Sequence, residues 1–218
     1  ALIGLMPDFK QDLLNLASQL QNSGSDPQAL QDSLGRFASQ PGVLLTLFGY
    51  VAVLIPIVEE ILKPAAVWLL LKRKLEPWEG FILGATSGAG YALFENLTIG
   101  AAADVWTFVT ITRLGTAAVH IFTAGLMGWG LSQAFTKKKP GKLGLAFFSA
   151  VSLHGGWNGL NILSAVGEFS EVREKLGFLG AGLADLAPAG LALIAMGCVW
   201  GLIRANKMIR RAIMAGSN

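Results

Sequence analysis

Charge is scarce in this chain of 218 residues: Asp, Glu, Lys and Arg make up 14% of it, where soluble domains average about 25%. Cysteine is scarcer. The single Cys198 excludes an internal disulfide, and no Cys/His spacing fits a zinc finger or ribbon. Long polar tracts are absent too, which excludes a disordered chain. The pI of about 9.1 does not point to nucleic acid, because the basic residues sit in short runs rather than on one face. What the chain has in quantity is apolar and small residues: 53% hydrophobic and 27 glycines, with a mean hydropathy of +0.54. That composition marks an integral membrane protein.

Five apolar stretches are long enough to cross a bilayer core, which takes about 20 helical residues. They run from about Gly42 to Leu71, Gly80 to Ala103, Val105 to Phe135, Leu143 to Val166 and Phe178 to Ile203. None alternates apolar and polar residues as barrel strands do. Gly-rich runs such as Gly84 to Gly90 suit closely packed transmembrane helices. The expected fold is all-α, a polytopic bundle of about five spans.

Basic loops stay in the cytoplasm. Lys72, Arg73 and Lys74 follow the first stretch, Lys137, Lys138, Lys139 and Lys142 the third, and Arg204, Lys207, Arg210 and Arg211 the fifth. Asp104 and the acid-rich loop from Glu168 to Lys175 lie on the opposite side. The alternation puts residues 1–41 outside the cell, residues 42–211 in a transmembrane helical domain and a 212–218 tail in the cytoplasm, as expected in a prokaryotic plasma membrane. The outer segment reads as two amphipathic helices. One carries Leu13, Leu16, Ala17 and Leu20; the other opens at Asp26-Pro27 and carries Leu30, Leu34 and Phe37. The turn between them is Asn22 to Ser25. Ala1 to Met6 is apolar, and an outer segment needs something to carry it across, so residues upstream of Ala1 are expected.

Most charges occupy loops, and the exceptions carry the chemistry. Glu59, Glu60 and Lys63 lie in the first stretch, Glu95 in the second, Arg113 and His120 in the third, and His154 in the fourth. Ionisable groups at bilayer depth are costly, so they face the bundle interior and mark function. At about 1.5 Å of rise per residue, Glu59 and Glu60 lie roughly 18–20 Å from Lys72, Glu95 about 22 Å from Gly80, His120 about 25 Å from Lys137 and His154 about 18 Å from Lys142. Four stretches therefore bring polar groups to one depth, and Glu60, Glu95, His120 and His154 are expected to converge. Lys63 is i+4 from Glu59, so an ion pair is expected there, leaving Glu60 to face the site. Asn158 shares a face with His154 at i+4. Arg113, near the outer interface, reads as a snorkelling side chain.

Two chemistries suit these residues. Glu60, Glu95, His120 and His154 could ligate one divalent metal such as zinc, through imidazole and carboxylate donors. Alternatively, a carboxylate acts as general base on water while His and Asn donors stabilise the oxyanion. No His-Glu-x-x-His motif is present. A Ser/His/Asp triad lacks its Asp near the histidines, since Asp185 sits near the outer end of the fifth stretch.

The same residues resemble, in order, the motifs of the PrsW family of intramembrane proteases, related to the CAAX-protease and bacteriocin-processing superfamily. Glu59-Glu60-Ile61-Leu62-Lys63 resembles the family's Glu-Glu-x-x-Lys, and Phe94-Glu95-Asn96 its Phe-Glu-Asn. Arg113 to His120 resembles the Arg…His segment, and His154 to Asn158 the final His-x-x-x-Asn/Asp. The likeness covers roughly residues 50–165. It implies an intramembrane endopeptidase, a hydrolase that cuts membrane-protein or peptide substrates in the bilayer. Glu59 and Glu60 would be its catalytic acids, and Glu95, His120, His154 and Asn158 would complete the site. Ile99 and Gly100 stand where the family often has a Tyr. Two other readings stand beside it. Buried Glu and His chains also serve proton-coupled transporters, although the inverted repeats of such proteins are not visible. A catalytically silent relative acting as subunit or scaffold of a larger membrane complex would keep the same residues.

Overall fold

Prolines set the breaks in the first apolar stretch. The computed structural model describes residues 27–97 and 106–216, together with Gln11, Leu14, Leu16, Ala17 and Ser18. Helix α1 (Pro27–Ala38) leads to α2 (Pro41–Thr46), a π-helical segment (Leu47–Leu54), α3 (Ile55–Leu62) and α4 (Ala65–Leu70). A 3-10 turn (Leu71–Arg73) precedes α5 (Pro77–Leu97), α6 (Trp106–Phe135), α7 (Pro140–Val166) and α8 (Ser170–Gly216). The described residues hold no strand, and the protein is all-α. Leu13, Leu20, the Asn22 to Ser25 turn, Ala1 to Met6, Ile99, Gly100 and Asp104 lie outside the described residues.

Among the described residues, three helical segments are long and apolar enough to cross a membrane: Pro41–Arg73, Val109–Phe135 and Ser170–Met214. Helices α5 and α7, at 21 and 27 residues, have sufficient length but are not among the three. Their Gly, Ser, Asn and His residues dilute the hydropathy. The expected acidic loop differs as well, because α8 already begins at Ser170. Glu171 sits in its first turn, where a carboxylate favours the helix dipole. Gly177, at φ 67° and ψ −176°, interrupts this helix, and Phe178 starts the apolar part immediately after it.

The chain forms two compact units. The first draws on residues up to Ala52 and on Asn158–Ala189. In it Lys175 Nζ donates to the Ser39 carbonyl at 2.9 Å, and Arg173 forks onto Asp185 at 2.8 and 3.0 Å. Asn158 Nδ2 donates to the Val51 carbonyl at 2.9 Å. In a π register that carbonyl would look to residue 56, a proline with no N–H, so the asparagine supplies the donor that the backbone lacks.

The second unit comprises Val53–Trp157 and the chain from Gly190. Val67, Leu75 and Leu131 form one buried cluster in it, and Val119, Trp157 and Cys198 another. Pro64 splits α3 from α4, and the Ile61 carbonyl accepts Trp68 Nε1 at 2.7 Å. The break leaves Lys63 at the end of α3, with its side chain turned inward. On α5, Gly80, Gly84 and Gly88 lie one turn apart and face α6. A Cβ at Gly84 would collide with the Ala124 carbonyl and come within 3.2 Å of the Gly125 Cα; at Gly88 it would meet the His120 backbone. This close approach carries Tyr91 and Glu95, further along α5, to His120. Gly84→Leu is therefore expected to cost about 1–3 kcal/mol, the usual penalty for overpacking. A lower thermal midpoint in detergent would register it, and an unchanged midpoint would mean that the helices part without cost.

Candidate active site

Glu60 is the anchor of the buried polar cluster in the second unit. Its side chain is fully buried, and three donors meet on Oε1: Lys63 Nζ at 2.8 Å, His154 Nδ1 at 2.9 Å and Thr123 Oγ1 at 3.1 Å. Its Oε2 is buried without a hydrogen-bond partner. The burial cost of this carboxylate is offset only by such charge-assisted bonds.

Lys63 pairs with both glutamates, the expected pair with Glu59 included. Lys63 was expected to hold Glu59, but its shorter bond goes to Glu60, while Glu59 Oε2 lies at 3.3 Å. At i+3, Glu60 reaches the ammonium as readily as Glu59 does at i+4. His154 and Thr123, brought in by two other helices, pull Glu60 inward and decide between them. Glu59 keeps a side chain 22% exposed, and its Oε2 has no hydrogen-bond partner. Oε2 itself is buried, and the Glu95 side chain, at 34%, is the more exposed carboxylate.

The hydrogen bonds also fix which imidazole nitrogens carry protons. Carboxylates only accept, so His154 Nδ1 donates to Glu60, and Nε2 is the lone-pair nitrogen of the neutral ring. That Nε2 lies 3.8 Å from Glu59 Oε2. His120 is the mirror case. Ammonium only donates, so His120 Nδ1, 2.8 Å from Lys63 Nζ, accepts. Its Nε2–H then donates to Glu95 Oε2 at 2.8 Å. The two rings meet edge to face, with centroids 4.9 Å apart and planes at 89°.

The expected convergence of Glu60, Glu95, His120 and His154 is therefore what the structure contains: one hydrogen-bonded group with Lys63 at its centre. Glu59, His120 and His154 offer atoms that all lie within 4.8 Å of one another. These residues fit a divalent metal, since one carboxylate and two imidazoles match catalytic zinc sites that keep a position open. Glu60 and Glu95, expected among the ligands, instead take the imidazole N–H groups, as carboxylates behind metal-binding histidines do. Asn158, also expected here, belongs to the first unit, where it holds the Val51 carbonyl.

Three further residues that the expected site set did not include join the cluster. Arg113 does not simply snorkel: its Nη1 donates to Glu95 Oε1 at 3.3 Å, while Nε and Nη2 are buried without hydrogen-bond partners. Its place seven residues before His120, two turns along one face, was the available signal. Thr123, three residues after His120, could have been found in the same way. The Tyr91 ring lies 4.8 Å from Lys63 Nζ and 5.2 Å from the His120 ring, and its i,i+4 spacing from Glu95 pointed to it.

Against known families, the one described as PrsW family intramembrane metalloprotease matches residues 28–180. No curated protein and no solved structure matches the chain.

Proposed function

The chain belongs to the PrsW family of intramembrane metalloproteases, and from that membership we infer an endopeptidase that hydrolyses peptide bonds of membrane-spanning substrates at the Glu59–His120–His154 cluster. The observation that carries this reading is the grouping of the Glu59 carboxylate with two imidazoles, their ligand atoms all within 4.8 Å of one another and the rings held from behind by Glu60 and Glu95. In the proposed mechanism, Glu59 takes a proton from water as the oxygen attacks the scissile carbonyl carbon. When the C–N bond breaks, Glu59 returns that proton to the leaving amine. Glu60 and Glu95 accept from His154 Nδ1 and His120 Nε2, so that His154 Nε2 and His120 Nδ1 are the nitrogens left to carry lone pairs. Arg113 fastens Glu95, and the unpartnered N–H groups of its guanidinium can receive a substrate carbonyl oxygen. Where a divalent metal is bound instead, Glu59, His120 and His154 would hold it and it would polarise the attacking water or the scissile carbonyl as a Lewis acid, with Glu59 then a ligand rather than the base.

Reconstitution tests the reading. Purified protein in liposomes is mixed with a single-span substrate, and the products are weighed by mass spectrometry. Cleavage that His154→Ala removes supports it. An intact substrate under all conditions favours the silent subunit of a larger complex.

The proposed topology has five spans, with α5 and α7 crossing beside the three apolar helices. Residues 1–41 lie outside and the C-terminus is cytoplasmic, as the lysines and arginines at 72–74, 137–142 and 204–211 support. A single cysteine placed at Lys139, in a background with Cys198 replaced, should react with an impermeant maleimide only after the membrane is opened. Labelling in intact cells would invert the topology.

A further inference from the structure

A cation already sits among the groups that suit a metal. Lys63 Nζ lies 2.8 Å from Glu60 Oε1, 2.8 Å from His120 Nδ1 and 3.3 Å from Glu59 Oε2, with the Tyr91 ring face 4.8 Å away. Two carboxylates, an imidazole lone pair and an aromatic face are what a cation seeks. The ammonium engages Glu59 and His120, two of the three residues that would hold the metal, and it consumes the lone pair of His120 that faces the cluster. The opposite nitrogen donates to Glu95, so it is not available instead.

Resting on the reading of Glu59, His120 and His154 as the reactive centre, the geometry points to Lys63 as a built-in competitor for the metal. Its ammonium and a divalent cation are alternative occupants of one cage, and the protein exchanges a lysine-filled, metal-free state for a metal-filled state in which Lys63 has left His120 Nδ1. Both cations cannot use that lone pair, and a dication beside an ammonium in a buried site is strongly repelled. Lys63 thus lowers metal affinity and makes occupancy depend on the supply of metal. Where the lysine-filled form makes up nine-tenths of the metal-free protein, apparent affinity falls about tenfold below that of the open cage.

The test reads metal binding rather than turnover. Chelator-stripped protein in detergent is titrated with Zn²⁺ by calorimetry, and Co²⁺ absorption reports the ligand geometry. Lys63→Met is expected to bind zinc at least about tenfold more tightly than the unaltered protein, and adding Glu59→Gln should abolish the gain. Removing the lysine leaves Glu60 without its counter-charge, so the charge-matched Lys63→Met/Glu60→Gln variant is measured in parallel; its Gln can still accept from His154. Zinc affinity that is unchanged or lower in both folded variants overturns the competition, as does the absence of zinc binding throughout. Cleavage assays on the same samples separate the two ideas. A protease with unchanged zinc affinity sinks only the competition, whereas tighter zinc binding without any cleavage sinks only the protease reading.

Discussion

Glu59→Gln is expected to reduce peptide cleavage at least about 10³-fold while leaving the fold intact. The estimate follows from what is removed. A positioned general base supplies about 10²–10⁴-fold, and where a metal is bound the substitution instead withdraws the only carboxylate among the three groups that can surround it. The amide is nearly isosteric, and although the ion pair of Glu59 Oε2 with Lys63 at 3.3 Å is lost, the ammonium keeps its shorter bond to Glu60. Single-turnover cleavage of a reconstituted substrate, beside a thermal melt, measures both halves. Cleavage within tenfold of the unaltered protein would move the water-activating role to another residue.

Glu60→Leu should do the reverse, acting on stability first. Lys63 and His154 both bond to Glu60 Oε1, so its loss leaves the fully buried Lys63 ammonium with only Glu59 Oε2, at 3.3 Å, as a counter-charge. Breaking a buried ion pair from one side costs about 3–5 kcal/mol. The fall in the thermal midpoint should be partly rescued by Lys63→Met in the same chain, because the stranded charge is then gone as well. A Glu60→Leu protein as stable as the parent would mean that Lys63 finds another partner at no cost. Cleavage should fall too, through the lost orientation of His154, but activity alone would not separate Glu60 from Glu59.

These opposite expectations show where the sequence stopped being informative. The depth of the charged residues could be counted along each helix, and that placed Glu60, Glu95, His120 and His154 together. Helical rise is nearly constant, so the count survives folding. The choice between Glu59 and Glu60 could not be counted. Both reach Lys63 on the helix surface, and the decision is made by His154 and Thr123, 94 and 63 residues away from Glu60 along the chain. Arg113 was misread for a related reason. Position alone put it near an interface, where a long cation turns to water, but the glycine face of α5 brings Glu95 within its reach. The glycines themselves were legible as a packing surface, although not the helix they would meet. For α5 and α7, residues chosen to pack helices together make a poor hydropathy signal, so length and composition disagree on whether those two helices cross.

The inward-facing lysine has a consequence for handling the protein. Preparations purified with chelators should retain the folded cluster, since Lys63 supplies the positive charge that its carboxylates need. Absence of metal from such a preparation would therefore not be evidence of a damaged site.

The central claim is that this buried cluster hydrolyses peptide bonds at bilayer depth, and the position of the cut tests it most directly. A single-span substrate is incubated with the protein in liposomes, and the new termini are located by mass spectrometry. The account predicts one principal cut inside the apolar segment, roughly 18–25 Å from its cytoplasmic end at about 1.5 Å per residue, lost in Glu59→Gln and His154→Ala. Cuts confined to the polar loops, or a cut that persists in both variants, would contradict it.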